Sequence, residues 1–134
     1  MTRFVIDAPT LLHVLDERID IHPDHQLVAP GAVRSDALQL LLDDVRRGAR
    51  SDREALAAHE RVTALKMRLL GDRASRGTAW RYARELDLGS LKLAEHLAVT
   101  RLQADALVTV DLALRAVAEG VVPLAPLTSL STPS

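Results

Sequence analysis

Two aspartates stand where a hydrophobic run stops: Asp7 after Phe4-Val5-Ile6, and Asp111 after Leu107-Val108-Thr109-Val110. A third, Asp36, falls near the start of the apolar-periodic stretch that follows Gln26 to Ala29. If these runs are strands of a parallel sheet, all three acids face one edge, because ligands in such sheets bind beyond the carboxyl ends of the strands. Like charges gathered there repel unless a cation sits among them, and an oxygen-only donor set favours Mg²⁺ or Mn²⁺ over zinc. An ion so held orients a water and neutralises charge on a phosphodiester. A second reading uses the same positions. Aspartate is a favoured helix N-cap, Asp7 and Asp111 each precede a helix start, and Asp36 suits the dipole of a first turn. Periodicity alone leaves both readings open.

The elements that would position these acids are short strands alternating with helices. Phe4 to Ile6 reads as a buried strand, and Pro9 suits the first turn of a helix continuing through Thr10 to Leu15. Asp16 to His25 is a polar connection, Gln26 to Ala29 a second strand, and Pro30-Gly31 its end. Ser35 is an expected N-cap of a helix to Arg47, with Leu38, Leu41, Leu42 and Val45 as its buried face and Gly48 as its stop. Ser51-Asp52-Arg53-Glu54 matches a capping box, opening a helix expected to reach Leu70. Helices over 78–86 and 91–101, a strand over 105–110, a helix over 112–118 broken by Gly120 and a last strand over 121–124 follow. Strands joined through helices imply right-handed crossovers and a parallel sheet covered on both faces. The expected organisation is one α/β domain over residues 1–127 and a flexible tail over 128–134.

Composition narrows the function classes. The chain has 134 residues, 48% of them apolar, enough for a packed core. Net charge is −1, so any nucleic-acid contact has to come from a local patch. With one Phe, one Trp and one Tyr there is no base-stacking platform, and with no cysteine there is no disulfide, thiolate metal site or cysteine nucleophile. Nothing approaches the roughly 20 apolar residues of a membrane span. A cytoplasmic protein without membrane contact is expected. The middle of the chain is the most basic stretch, from Arg46 to Arg84, but interleaved acids make it equally an ordinary solvated helical surface. His22-Pro23-Asp24-His25 reads as a solvated loop before it reads as a metal site. Haloacid-dehalogenase phosphatases need a second Asp two residues after the nucleophile, where this chain has Pro9. Receiver domains need an acidic pair and a lysine that are missing, and there is no Gly-rich phosphate loop.

The segment Phe4-Val5-Ile6-Asp7-Ala8-Pro9-Thr10-Leu11-Leu12 resembles the opening of PIN-domain proteins, a strand ending in Asp with a small residue and Ser/Thr after it. Ala29-Pro30 through Arg34-Ser35-Asp36-Ala37-Leu38 resembles the second acidic block. Ala94-Glu95-His96-Leu97-Ala98-Val99, running on to Leu107-Val108-Thr109-Val110-Asp111, looks like the third and fourth blocks of actinobacterial VapC-like toxins. The resemblance covers the chain in order and is most specific in the last block. It implies a PIN-like three-layer sandwich, a central parallel sheet of about four to five short strands flanked by helices. It also implies a Mg²⁺- or Mn²⁺-dependent endoribonuclease: the toxin of a type II toxin–antitoxin pair, acting on RNA, homodimeric and neutralised by a cognate antitoxin. By position Asp7, Asp36 and Asp111 match catalytic and metal-binding acids, and Thr10 and Thr109 match hydroxyl positions beside them. The family's third acid stands two residues before the Glu of its block, and here that place is Leu93. Asp87 and Glu95 are the possible substitutes, although two residues along a helix turn Glu95 about 200° from Leu93. Lys92 adds a positive charge nearby. The alternative is a degenerate PIN fold acting as a protein-interaction module.

Overall fold

A computed structural model describes residues 1–133. Its order is β1 (Thr2–Ile6), α1 (Ala8–Asp16), β2 (His25–Pro30), α2 (Val33–Arg46), α3 (Asp52–Ala64), β3 (Arg68–Leu70), α4 (Arg73–Glu85), α5 (Leu91–Gln103), β4 (Ala106–Val108), α6 (Leu112–Ala118) and a 3-10 turn over Leu127–Leu130. The sheet order is β3-β2-β1-β4 with every pairing parallel. The chain is thus an α/β protein with a four-stranded parallel sheet, as the alternation of strands and helices requires.

Side chains alternate across a strand, so each strand feeds two cores. Phe4, Ile6, Leu27, Ala29 and Val108 pack with Leu11, Ala37, Leu41, Ala58 and Val62 on the α1–α2–α3 side. Val5, Val28 and Leu107 pack with Leu97, Val99, Leu114 and Ala118 of α5 and α6. α4 lies outside α5, joined to it through Ala79, Ala94 and Ala98. Helices therefore cover both faces, giving three layers.

Several boundaries differ from those read in the sequence. The helix from Ser51 carries the full capping box, with Glu54 N donating to Ser51 Oγ and Ser51 N to Glu54 Oε1 at 3.1 Å each. It stops at Ala64, and Arg68–Leu70 forms an edge strand against Val28–Pro30. Three residues are too short for a periodicity to register. The strand expected over 121–124 reduces to one parallel bridge, Leu107↔Leu124. On α2, Leu38 and Leu42 are exposed, and the buried face is Val33, Ala37 and Leu41. The helix starts two residues before Ser35, so Ser35 is not its cap. Gly48 does end α2, at φ +77°, in a Schellman arrangement: Gly48 N donates to Val45 O at 3.1 Å and Ala49 N to Asp44 O at 2.8 Å. The expected tail is docked through Leu130, which is fully buried and whose carbonyl accepts from His22 N at 2.8 Å. Ser134 lies outside the described residues. No helix among the described residues is long and apolar enough to cross a membrane.

Candidate carboxylate site

The parallel register places the acids. Ile6 pairs with Val108, so Asp7 and Thr109 emerge side by side from the carboxyl ends of β1 and β4. Asp7 is 4% exposed and stands at the N-cap of α1, yet its side chain makes no capping bond. Both of its oxygens are taken by threonines. Thr10 Oγ1 donates to Oδ1, and Thr109 Oγ1 donates to Oδ2 at 3.0 Å. Each hydroxyl is itself oriented from behind, since Val110 N donates to Thr10 Oγ1 and Asp111 N to Thr109 Oγ1, both at 3.0 Å. A buried carboxylate is tolerated when its lone pairs are met in this way.

Asp111 divides the two sequence readings differently. Its Oδ1 caps α6, accepting from Ala113 N at 2.8 Å and Leu114 N at 3.4 Å. Asp36 lies in the first turn of α2, where it suits the helix dipole, and pairs with Lys92 Nζ at 3.2 Å. All three acids nevertheless line one cleft of about 310 Å³, together with Gln39, Asp43, Lys92, Leu93 and His96. Gln39 escaped the sequence reading, and Asp43 counted there only among the interleaved acids of a solvated helical surface; Gln39 Nε2 donates to Asp43 Oδ1 at 3.0 Å one helical turn apart on α2. The only signal for them was i, i+4 spacing on the helix that carries Asp36.

The α5 wall of the cleft follows from helical periodicity. Lys92, Leu93 and His96 turn toward it, whereas Glu95 lines a separate hollow beside Pro30, Gly31 and Val99. Asp87 sits at φ +51° in the α4–α5 connection and lines another hollow, beside Trp80 and Arg84. Neither possible substitute reaches the cleft. At the place of the missing acid the cleft is lined by the partly buried side chain of Leu93. His96 is 3% exposed, with Nδ1 at 2.7 Å from Lys92 O and Nε2 without a partner among the described residues.

The oxygen donors suit Mg²⁺ or Mn²⁺ in kind. They do not suit either in placement. Among the described residues no three His, Cys, Asp or Glu side chains group so as to hold one ion. Asp7 is engaged by two hydroxyls, Asp111 by its cap and Asp36 by an ammonium.

No protein-family model matches the sequence, and no curated protein matches it. Among solved structures, the chain is similar to the crystal structure of PAE2754 from Pyrobaculum aerophilum. The TM-score is 0.73 at 23% identity, over 96% of this chain and 92% of that one. At that identity the likeness carries the fold alone.

Proposed function

We propose that this chain is a PIN-type ribonuclease-like protein whose acidic cleft receives an RNA phosphodiester, the toxin component of a type II toxin–antitoxin pair. One observation carries the reading: Asp7, Asp36 and Asp111 come from three distant segments and line a single cleft at the carboxyl edge of a parallel sheet. In this reading Asp7 is held in one orientation by Thr10 and Thr109, and Asp111 keeps Oδ2 free to accept a proton from an attacking water. Lys92 supplies the cationic contact for a phosphate oxygen. Mg²⁺ or Mn²⁺, homodimerisation, a cognate antitoxin and a cytoplasmic location are what the PIN resemblance adds, and no step is assigned to an ion that the donors do not fit.

A second reading, a protein-interaction module without nuclease chemistry, is favoured by Leu93 in the wall of the cleft. Incubating the purified protein with end-labelled RNA in Mn²⁺ or Mg²⁺ separates the two, with Asp7→Asn as control. Cleavage that Asp7→Asn abolishes supports the nuclease. No cleavage with either ion, in a protein that melts cooperatively, leaves the interaction module.

A further inference from the structure

The acidic cleft already contains a cation. Lys92, in the first turn of α5, crosses to Asp36 and places Nζ 3.2 Å from Oδ1. Its side chain is 60% exposed against 20% for Asp36, so the ammonium reaches inward from the solvent rim. Beside it, Leu93 offers the cleft only methyl groups. One turn further on, His96 uses Nδ1–H to donate to the Lys92 carbonyl, because a carbonyl only accepts. Its Nε2 is buried and has no hydrogen-bond partner among the described residues. A buried polar atom left unpartnered in the wall of a cleft calls for a water or a ligand to meet it.

The placement of Lys92 gives a physical reason for the mismatch between the donor set and a divalent ion. Four carboxylates, Asp7, Asp36, Asp43 and Asp111, line one cleft and need positive charge, and a single ammonium on a flexible stem supplies it at Asp36. We propose that Lys92 is a tethered cation that takes a divalent ion's place beside Asp36 and keeps the affinity of the cleft for Mn²⁺ and Mg²⁺ low. The inference rests on the cleft being the functional site, as proposed above. Because Lys92 is exposed, it competes with an incoming ion without locking the site. At the dielectric of water a unit charge about 4 Å from a divalent ion lowers affinity about thirtyfold, and salt trims the effect of an exposed ammonium to about tenfold.

The test is Mn²⁺ binding to the full chain, read by water-proton relaxation and calorimetry, in the wild type, Lys92→Ala, Lys92→Gln and Lys92→Arg. Both neutral variants should bind Mn²⁺ about tenfold more tightly than the wild type. Lys92→Arg should stay near the wild type, and adding Asp36→Asn to Lys92→Ala should remove the gain. Equal affinity in the wild type and the neutral variants overturns the tethered cation, as does a gain of the same size in Lys92→Arg or an absence of binding throughout. RNA cleavage by the wild type alone reports separately, since Lys92 is itself assigned the phosphate contact. Equal Mn²⁺ affinity with cleavage retained overturns this inference alone. Tightened binding without cleavage upholds it and overturns the nuclease.

Discussion

The Thr109 hydroxyl donates to Oδ2 of Asp7 at 3.0 Å, a contact between residues 102 apart in sequence that ties the end of β4 to the end of β1. The same hydroxyl accepts from Asp111 N at 3.0 Å, so one side chain orients both the buried acid and the turn that presents Asp111. Thr109→Val keeps the shape and removes both bonds. It leaves part of a buried carboxylate unmet, so a loss of about 1–3 kcal/mol is expected. Thr109→Ser should keep most of the stability. Urea denaturation of the two variants checks this, and equal losses would place the effect in packing and not in the hydroxyl.

Arg50 joins the ends of two helices. It makes paired bonds to Asp16 at 3.1 and 2.7 Å and a third to Asp44 at 2.8 Å. Arg50→Met should cost about 1–2 kcal/mol, because the guanidinium and Asp44 are both largely covered. The hydrogen bond from Arg50 holds the Asp44 carboxyl below its ordinary value of 3.8. A carboxyl lowered in the folded state contributes stability above its unfolded value and loses it as the pH falls through the folded one. The melting-temperature gap between wild type and Arg50→Met should therefore be full at pH 7 and shrink below about pH 4. A gap that stays constant to pH 3 would remove Asp44 from the account.

The C-terminal turn is a structural clasp. Leu130 is fully buried against the α1 side of the sheet, and Ser131 Oγ donates to Asp20 O at 2.7 Å. Leu130→Ala should cost about 2–5 kcal/mol, in the range of other large-to-small changes at buried sites. Ser131→Ala, at an exposed rim, should cost under about 1 kcal/mol. Thermal melts of both variants decide whether the last residues belong to the folded unit.

What the sequence reveals here depends on the range of the signal. Capping at Ser51 and the stop at Gly48 are local chemistry, and both stand where the residues announce them. The strand end at Asp7 was legible because an apolar run stopped by a charged residue needs no tertiary knowledge, whereas β4, expected over 105–110, is only Ala106–Val108 and stops short of Asp111. The opposite turn of Glu95 followed from helical geometry alone. By contrast, β3 exists only because Val28–Pro30 offers it an edge, and Leu130 is buried only because the α1 side leaves room for it. The fate of each aspartate was beyond local rules too. Asp7 and Asp111 carry the same N-cap signature, and only the register Ile6↔Val108 brings Thr109 to Asp7 and leaves Asp111 to cap its helix.

Leu93 is where the nuclease and interaction readings part. It is half-buried, packs with the core on the α5 side and also lines the acidic cleft, so an aspartate there would sit among Asp7, Asp36, Asp43 and Asp111. Leu93→Asp should cost about 1–3 kcal/mol, from lost apolar contact and added repulsion. Much of that cost should return on adding Mn²⁺, because a further carboxylate at this place completes an oxygen-rich cage and binding to the folded state alone is stabilising. The measurement is the melting temperature of Leu93→Asp with and without millimolar Mn²⁺, beside RNA cleavage by the same protein. A Mn²⁺-dependent rise together with new cleavage means that the wild-type cleft is a nuclease site short of one acid. A rise without cleavage means that the cleft can hold an ion but does not handle RNA. No rise at all means that the carboxylates cannot close around one ion even with the added one present, and the shared cleft is then a consequence of the fold and not a catalytic centre.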